Sequence, residues 1–102
     1  DAKIKSCLIN IVKESLNNVI KHSNATHVSI KLLEHPAMYQ LIVADNGTLT
    51  STAKWYLSQN KVGDGMGLQS MADRIKSFQG NFNIITDKGF EIFITIPKKG
   101  GL

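Results

Sequence analysis

Several features that would send a chain toward common ends are missing here. Of 102 residues only Cys7 is a cysteine, so no disulfide can close within the chain, which suits a reducing compartment. His22, His27 and His35 show no metal-ligand spacing, and Cys7 adds nothing to them. No apolar run approaches the roughly 18 residues of a membrane span, and no signal peptide, repeat or low-complexity tract is visible. Basic residues exceed acidic ones to give +4, but they are dispersed. The nearest thing to a basic cluster, Lys98-Lys99, lies in a Gly-rich tail, which argues against a nucleic-acid partner. No order of Ser, His and Asp is persuasive as a nucleophilic triad, because Ser15 and Ser70 lie within helical patterns and not on sharp turns.

What remains is an ordinary soluble composition, 42% hydrophobic and 20% charged, in a chain of one-domain length that can bury a core unaided. The chain opens inside a helical pattern, so an excised domain is expected, with one more strand upstream of Asp1. Asp1 can cap a helix running to about Lys21, and Asn24 can take a left-handed stop after it. Thr26 to Leu33 alternate Val28, Ile30 and Leu32 with polar neighbours, the pattern of a half-buried strand. Glu34 to Ala37 form a turn, and Tyr39 to Ala44 a more apolar, more central strand. A short helix is expected from about Ser51 to Gln59, then a glycine loop from Asn60 to Met66. Leu68, Met71, Ala72, Ile75 and Phe78 mark a second strong helix from Gly67 to Gln79, stopped by Gly80. Strands at Asn81–Thr86 and Phe90–Ile96 flank the turn Asp87-Lys88-Gly89. Together these predict an α/β two-layer sandwich, a mixed β-sheet with about three helices on one face, spanning residues 1–97 with a tail at 98–102.

Three stretches can carry chemistry. In the first helix Ile4, Cys7, Leu8, Ile11, Val12 and Val19 form an apolar stripe, since each residue advances about 100°. Glu14, Asn18 and Lys21, at i, i+4 and i+7, read as a row along its border. A carboxylate, an amide and an ammonium so aligned can hold a divalent cation and a polyphosphate, or can simply be a solvated helix edge with a weak ion pair. Gly63-Asp64-Gly65-Met66-Gly67-Leu68 sets three glycines directly before a helix, where tight backbone, free N–H groups and the helix dipole suit phosphate oxygens. The plain alternative is a flexible loop. It is neither a Rossmann fingerprint nor a Walker loop, for want of the spacing and of a Gly-Lys-Ser/Thr. Asp45-Asn46-Gly47 ends a strand, where a carboxylate beside an apolar pocket can accept from an exocyclic amine and Gly47 lets the chain turn by a flat ring. Such a tripeptide can equally be a turn and nothing more.

In this order and spacing the three pieces resemble the GHKL ATPase superfamily, and most of all the ATP-binding catalytic domain of bacterial sensor histidine kinases. Lys13-Glu14-Ser15-Leu16-Asn17-Asn18-Val19-Ile20-Lys21-His22-Ser23-Asn24-Ala25 is similar to the N box of the nitrate-sensor and desaturase-sensor branch. Asp45-x-Gly47 resembles the first glycine box and Gly63-x-Gly65-x-Gly67-Leu68 the second, with Met71-Ala72-Asp73-Arg74-Ile75 similar to the helix that follows. The resemblance implies a Bergerat-type fold binding ATP and Mg²⁺. It implies Asn18 as metal ligand, Glu14 as a base or water-orienting group and Lys21 as a neutraliser of phosphate charge. It places His22 loosely near the phosphates, and Asp45 with Gly47 at the adenine. Gly63, Gly65, Met66, Gly67 and Leu68 would wrap the phosphates in a closing lid. It further implies a histidine kinase fragment, cytoplasmic within a membrane-anchored or soluble sensor, whose partners are a dimerisation domain bearing the phosphoacceptor histidine and a response regulator.

Two residues depart from the family pattern: Leu49 stands where the first glycine box has a second glycine, and Phe90 where a threonine follows the hairpin glycine. Both put the shape and wetness of the adenine site in question. Two other readings compete: a different GHKL member, such as an anti-sigma-type serine kinase or a degenerate nucleotide sensor, and a basic interaction module that binds no nucleotide.

Overall fold

The computed structural model describes residues 2–47, 67–86 and 89–98, with the side chain of His22 set aside. The helix expected at 51–59, the glycine-loop residues Gly63, Gly65 and Met66, the cap at Asp1 and turn residues 87–88 lie outside the described residues.

Helix α1 (Ala2–His22) contains neither Gly nor Pro and buries Ile4, Cys7, Leu8 and Ile11. The buried stripe then continues through Ser15 and Asn18, 2% and 8% exposed, with Val12 and Val19 half-buried at its margin. This corrects the expected border row. Seven residues at about 100° each fall about 20° short of two full turns, so Asn18 lies almost directly in line with Ile11. Glu14 is half-buried on one flank and Lys21 is exposed. The helix closes with Ser23 N–H donating to the Val19 carbonyl (3.1 Å). Asn24 does not take the expected left-handed stop, because Gln79 is the one non-glycine residue with positive φ among those described.

Strands β1 (Val28–Glu34), β2 (Met38–Asp45), β3 (Asn81–Ile85) and β4 (Phe90–Pro97) form one four-stranded sheet in the order β1-β2-β4-β3. Among the described residues every pairing is antiparallel, where a mixed sheet was expected. The crossover from β2 through the second helix reaches β3, which runs in β2's direction, and β4 returns into the gap between them, antiparallel to both. The central position expected for the second strand is correct. Its Leu41 and Val43 join Phe90, Ile92, Ile94 and Ile96 of β4 on the helix-facing side as the sheet's contribution to the core. The half-buried first strand is not seen: all seven residues of β1 are exposed, Leu32 at 61%. Val28, Ile30 and Leu32 do point to the helix side, but α1 packs over β2 and leaves the edge strand uncovered.

Helix α2 (Leu68–Ser77) buries Leu68, Met71 and Ile75 against the same core. Its stop differs in detail from the expected one at Gly80. Gln79 takes the left-handed conformation (φ 62°), its N–H donates to the Lys76 carbonyl (2.8 Å), and Gly80 N–H donates to that of Ile75 (2.9 Å). Gly80 is needed for space, since a Cβ there would run into the Thr95 carbonyl and the Ile75 side chain. Beyond β4, Lys98 is tied down: its N–H donates to the Ala37 carbonyl (2.8 Å) and its ammonium meets Glu34 (2.7 Å), 5.2 Å from the centre of the Tyr39 ring. The layers are therefore a two-helix layer, among the described residues, on one face of an antiparallel sheet.

Candidate functional site

The end of β2 is fastened to the connection between α1 and β1. Asn46 accepts from the Thr26 and His27 N–H groups (2.9 and 3.0 Å) and donates to the Thr26 hydroxyl (3.0 Å). Its own N–H donates to the His27 carbonyl (3.2 Å). Asp45 Oδ1 accepts from the Gly47 N–H (2.9 Å) and, at longer range, from the Ser23 hydroxyl (3.4 Å). Gly47 is buried, and a Cβ on it would collide with the Ser23 hydroxyl and the Ala25 backbone. The room that this glycine makes is thus filled by residues 23–25, where the tripeptide alone suggested space for a flat ring. The turn reading of Asp45-Asn46-Gly47 holds: Asn46 and Gly47 build the turn, and the turn sets the direction of Asp45.

Asp45 faces a narrow cleft between α1 and the sheet, lined also by Ser15, Asn18, Val19, Ser23, Val43, Phe90 and Ile92. It holds about 10 Å³, room for one water and no more. Three residues carry polar groups from α1 and its end, one carries a carboxylate from β2, and the remaining walls are apolar. An open hollow of about 650 Å³ lies at the same end of the sheet, but Ser29, Ala44, Ile85 and Glu91 place it largely on the face away from the helices. It lacks Asn18 and every other α1 residue, so the narrow cleft is the better candidate.

Glu14 lies on the flank of α1 turned to α2. Its Oε1 accepts from Arg74 of α2 at 2.8 Å, in a pair whose side chains are 40% and 32% exposed. Arg74 also donates to the Ser70 carbonyl (3.3 Å). The other carboxylate oxygen of Glu14 would stand 3.0 Å from a Cβ on Gly67. Gly67 caps α2 in the left-handed conformation, φ 69°, and has no side chain with which to cap the first turn. The first turn of α2 therefore opens beside the Glu14 carboxylate. Close by, burial pushes the Cys7 thiol up from its ordinary pKa, an effect opposed by Arg74 and aided by Glu14. Among the described residues no group of three His, Cys, Asp or Glu could cage a metal. A hard cation here would keep its water and take few protein oxygens, which fits a single amide such as Asn18.

The chain over residues 5–100 matches the family model described as histidine kinase-, DNA gyrase B- and HSP90-like ATPase. The chain belongs to this ATPase family. Members of the family bind ATP, usually with Mg²⁺. Among curated relatives, the signal transduction histidine-protein kinase/phosphatase DegS of Brevibacillus brevis is 30% identical over 92% of this chain and 23% of its own length. The sensor histidine kinase YvfT of Bacillus subtilis is 27% identical over 84% of this chain and 21% of its own. The sensor protein VraS of Staphylococcus haemolyticus is 28% identical over 92% and 26%. The chain thus spans about a quarter of the length of these relatives. The histidine kinase AdeS of Acinetobacter baumannii shares the fold, with a TM-score of 0.69 at 19% identity, over 96% of this chain and 47% of that one. Among the described residues no helix is long and apolar enough to cross a membrane.

Within this ATPase fold, Asn18 and Asp45 come together on one cleft, Gly47 braces Asp45, and Glu14 meets Gly67 at the neck between the helices. Lys21 is exposed on the last turn of α1. Leu68 is fully buried, so only its backbone can reach a ligand. Gly63, Gly65, Met66 and the side chain of His22 lie outside the described residues. Sequence reasoning passed over Ser15, Ser23, Asn46 and Arg74. Ser15 had a signal, four residues beyond Ile11 on the buried stripe. Arg74 had none, since its partner is 60 residues away.

Proposed function

We propose that this chain is the ATP-binding catalytic domain of a two-component sensor histidine kinase of the nitrate-sensor and desaturase-sensor branch. It binds Mg-ATP and presents the γ-phosphate to a histidine on a separate dimerisation domain, from which a response regulator takes it. The observation that supports this most is the meeting of Asn18 and Asp45 on one cleft, an amide oxygen on the helix and a carboxylate at the strand end. Asp45 accepts from the adenine amine, held in place by Gly47 N–H and Ser23. Asn18 supplies an amide oxygen to Mg²⁺, which would neutralise phosphate charge when bound. The first turn of α2, with Gly67, Gly63 and Gly65, offers N–H groups to the phosphates, and Lys21 adds positive charge. Glu14, steadied by Arg74, orients water or the incoming nucleophile. Catalysis then comes from positioning, and the acceptor comes from outside this chain.

Calorimetry with ATP and GTP, with and without Mg²⁺, tests the binding half. ATP binding that needs Mg²⁺ and exceeds GTP binding is expected, and its absence would remove the proposal. Incubation with γ-labelled ATP tests the transfer. Acid-labile label should appear only on an added dimerisation domain carrying its histidine. Label on the isolated chain, lost in His22→Ala, would overturn the reading. Acid-stable label on a serine of an added partner would mark the domain as a serine kinase of the same superfamily.

A further inference from the structure

Ser15 sits in the middle of α1, 2% exposed, and its hydroxyl is buried without a hydrogen-bond partner. A helical serine ordinarily relieves this by donating to the carbonyl four residues back, here Ile11, and Ser15 does not. A buried orphan hydroxyl in a native fold calls for a partner that arrives later. The hydroxyl lines the narrow cleft, where Phe90, Val43 and Ile92 are apolar and Asp45 offers a carboxylate. The cleft admits one water and no ring, so a planar base must seat at its mouth with that water inside. Such a water needs two to four polar partners. Ser15 and Asp45 supply two from the protein, and a ring nitrogen of the base supplies another.

We infer that Ser15 is a base-reading residue. Its hydroxyl holds one water that hydrogen-bonds the ring nitrogen beside the exocyclic amine of adenine, while Asp45 takes the amine. This rests on the ATP-binding reading and adds a residue to it. The edge so recognised is an amine donor next to an acceptor nitrogen. Guanine presents the reverse pair there, a carbonyl and an N–H.

The test compares ATP with 1-deaza-ATP, which lacks that nitrogen, on the parent and on Ser15→Ala, by calorimetry in Mg²⁺. Ser15→Ala should bind ATP about three- to tenfold more weakly, the worth of one neutral hydrogen bond. The parent should lose a similar factor on 1-deaza-ATP, whereas Ser15→Ala should bind the two nucleotides equally. Without nucleotide, the melting temperature of Ser15→Ala should hold or rise, because the change removes an unpartnered hydroxyl and installs a better helix former. A purely structural serine would lower it. Ser15→Cys, which keeps the shape and weakens the donor, should fall between. If Ser15→Ala binds ATP as the parent does, or both proteins lose equally on 1-deaza-ATP, the inference fails and the ATP reading stands. If the parent binds no adenine nucleotide, both fail.

Discussion

Replacing Gly67 by alanine tests the geometry that joins the two helices. Its φ of 69° lies where an L-residue pays about 1–2 kcal/mol. The new Cβ would also stand 3.0 Å from the free carboxylate oxygen of Glu14, whose other oxygen is held by Arg74 at 2.8 Å. The carboxylate must give by a few tenths of an ångström, at the expense of a half-exposed ion pair worth about 0.2–1 kcal/mol. The sum is about 1.2–3 kcal/mol, or a fall in Tm of roughly 5–24 °C for a domain of this size. Urea unfolding should show the midpoint falling with the m-value unchanged. In a Glu14→Ala background the Cβ loses its one close contact among the described residues, so the penalty should shrink to the backbone part alone, a coupling of about 0.5 kcal/mol. Gly67→Ala that is neutral in both backgrounds would refute the left-handed cap. An equal penalty in both would refute the contact with Glu14.

Gly80→Ala places a methyl against the Thr95 carbonyl, a backbone atom with no rotamer to yield, and should cost about 1–3 kcal/mol by the same urea assay. Asp45→Asn keeps the acceptor for Gly47 N–H but offers an amide donor to the adenine amine, so ATP affinity should drop about ten- to a hundredfold by calorimetry while the fold survives. Lys98 holds the Glu34 carboxyl below its ordinary pKa, chiefly by hydrogen bonding. The folded value lies below the unfolded one, so this stabilisation is present above the ordinary glutamate range and is lost as pH falls through the folded value. Glu34→Gln should therefore match the parent in strong acid and differ from it, slightly, at neutral pH. Cys7, buried with a raised pKa, should react with a disulfide reagent only as fast as the chain opens; rapid labelling in native buffer would contradict its burial.

The helices were legible because a 3.6 period survives single exceptions, and the strands because Leu41-Val43 and Ile92-Ile94-Ile96 alternate without a break. The misplacement of Asn18 came from residue type overriding angle: a polar residue was assigned to a border although its position matched that of Ile11. Ser15 was passed over for the same reason. The exposure of β1 had a different cause. Val28, Ile30 and Leu32 alternate as a covered strand does, and only the strand order reveals that they stand at an edge. Asp45 was legible as a strand-end carboxylate, but its brace through Asn46 and residues 23–27 was not, since those bonds join segments some 20 residues apart.

Helix α2 is closed at both ends by left-handed residues, Gly67 before it and Gln79 after it. A right-handed coil does not wind on through a residue in that conformation, so the helix cannot lengthen while these two residues hold it. With both ends so marked, α2 is a short bar of ten residues. A push at its first turn therefore becomes a tilt or a slide of the whole element. Arg74, two turns along that bar and gripping Glu14, is the point at which such a displacement would be handed to the neighbouring helix.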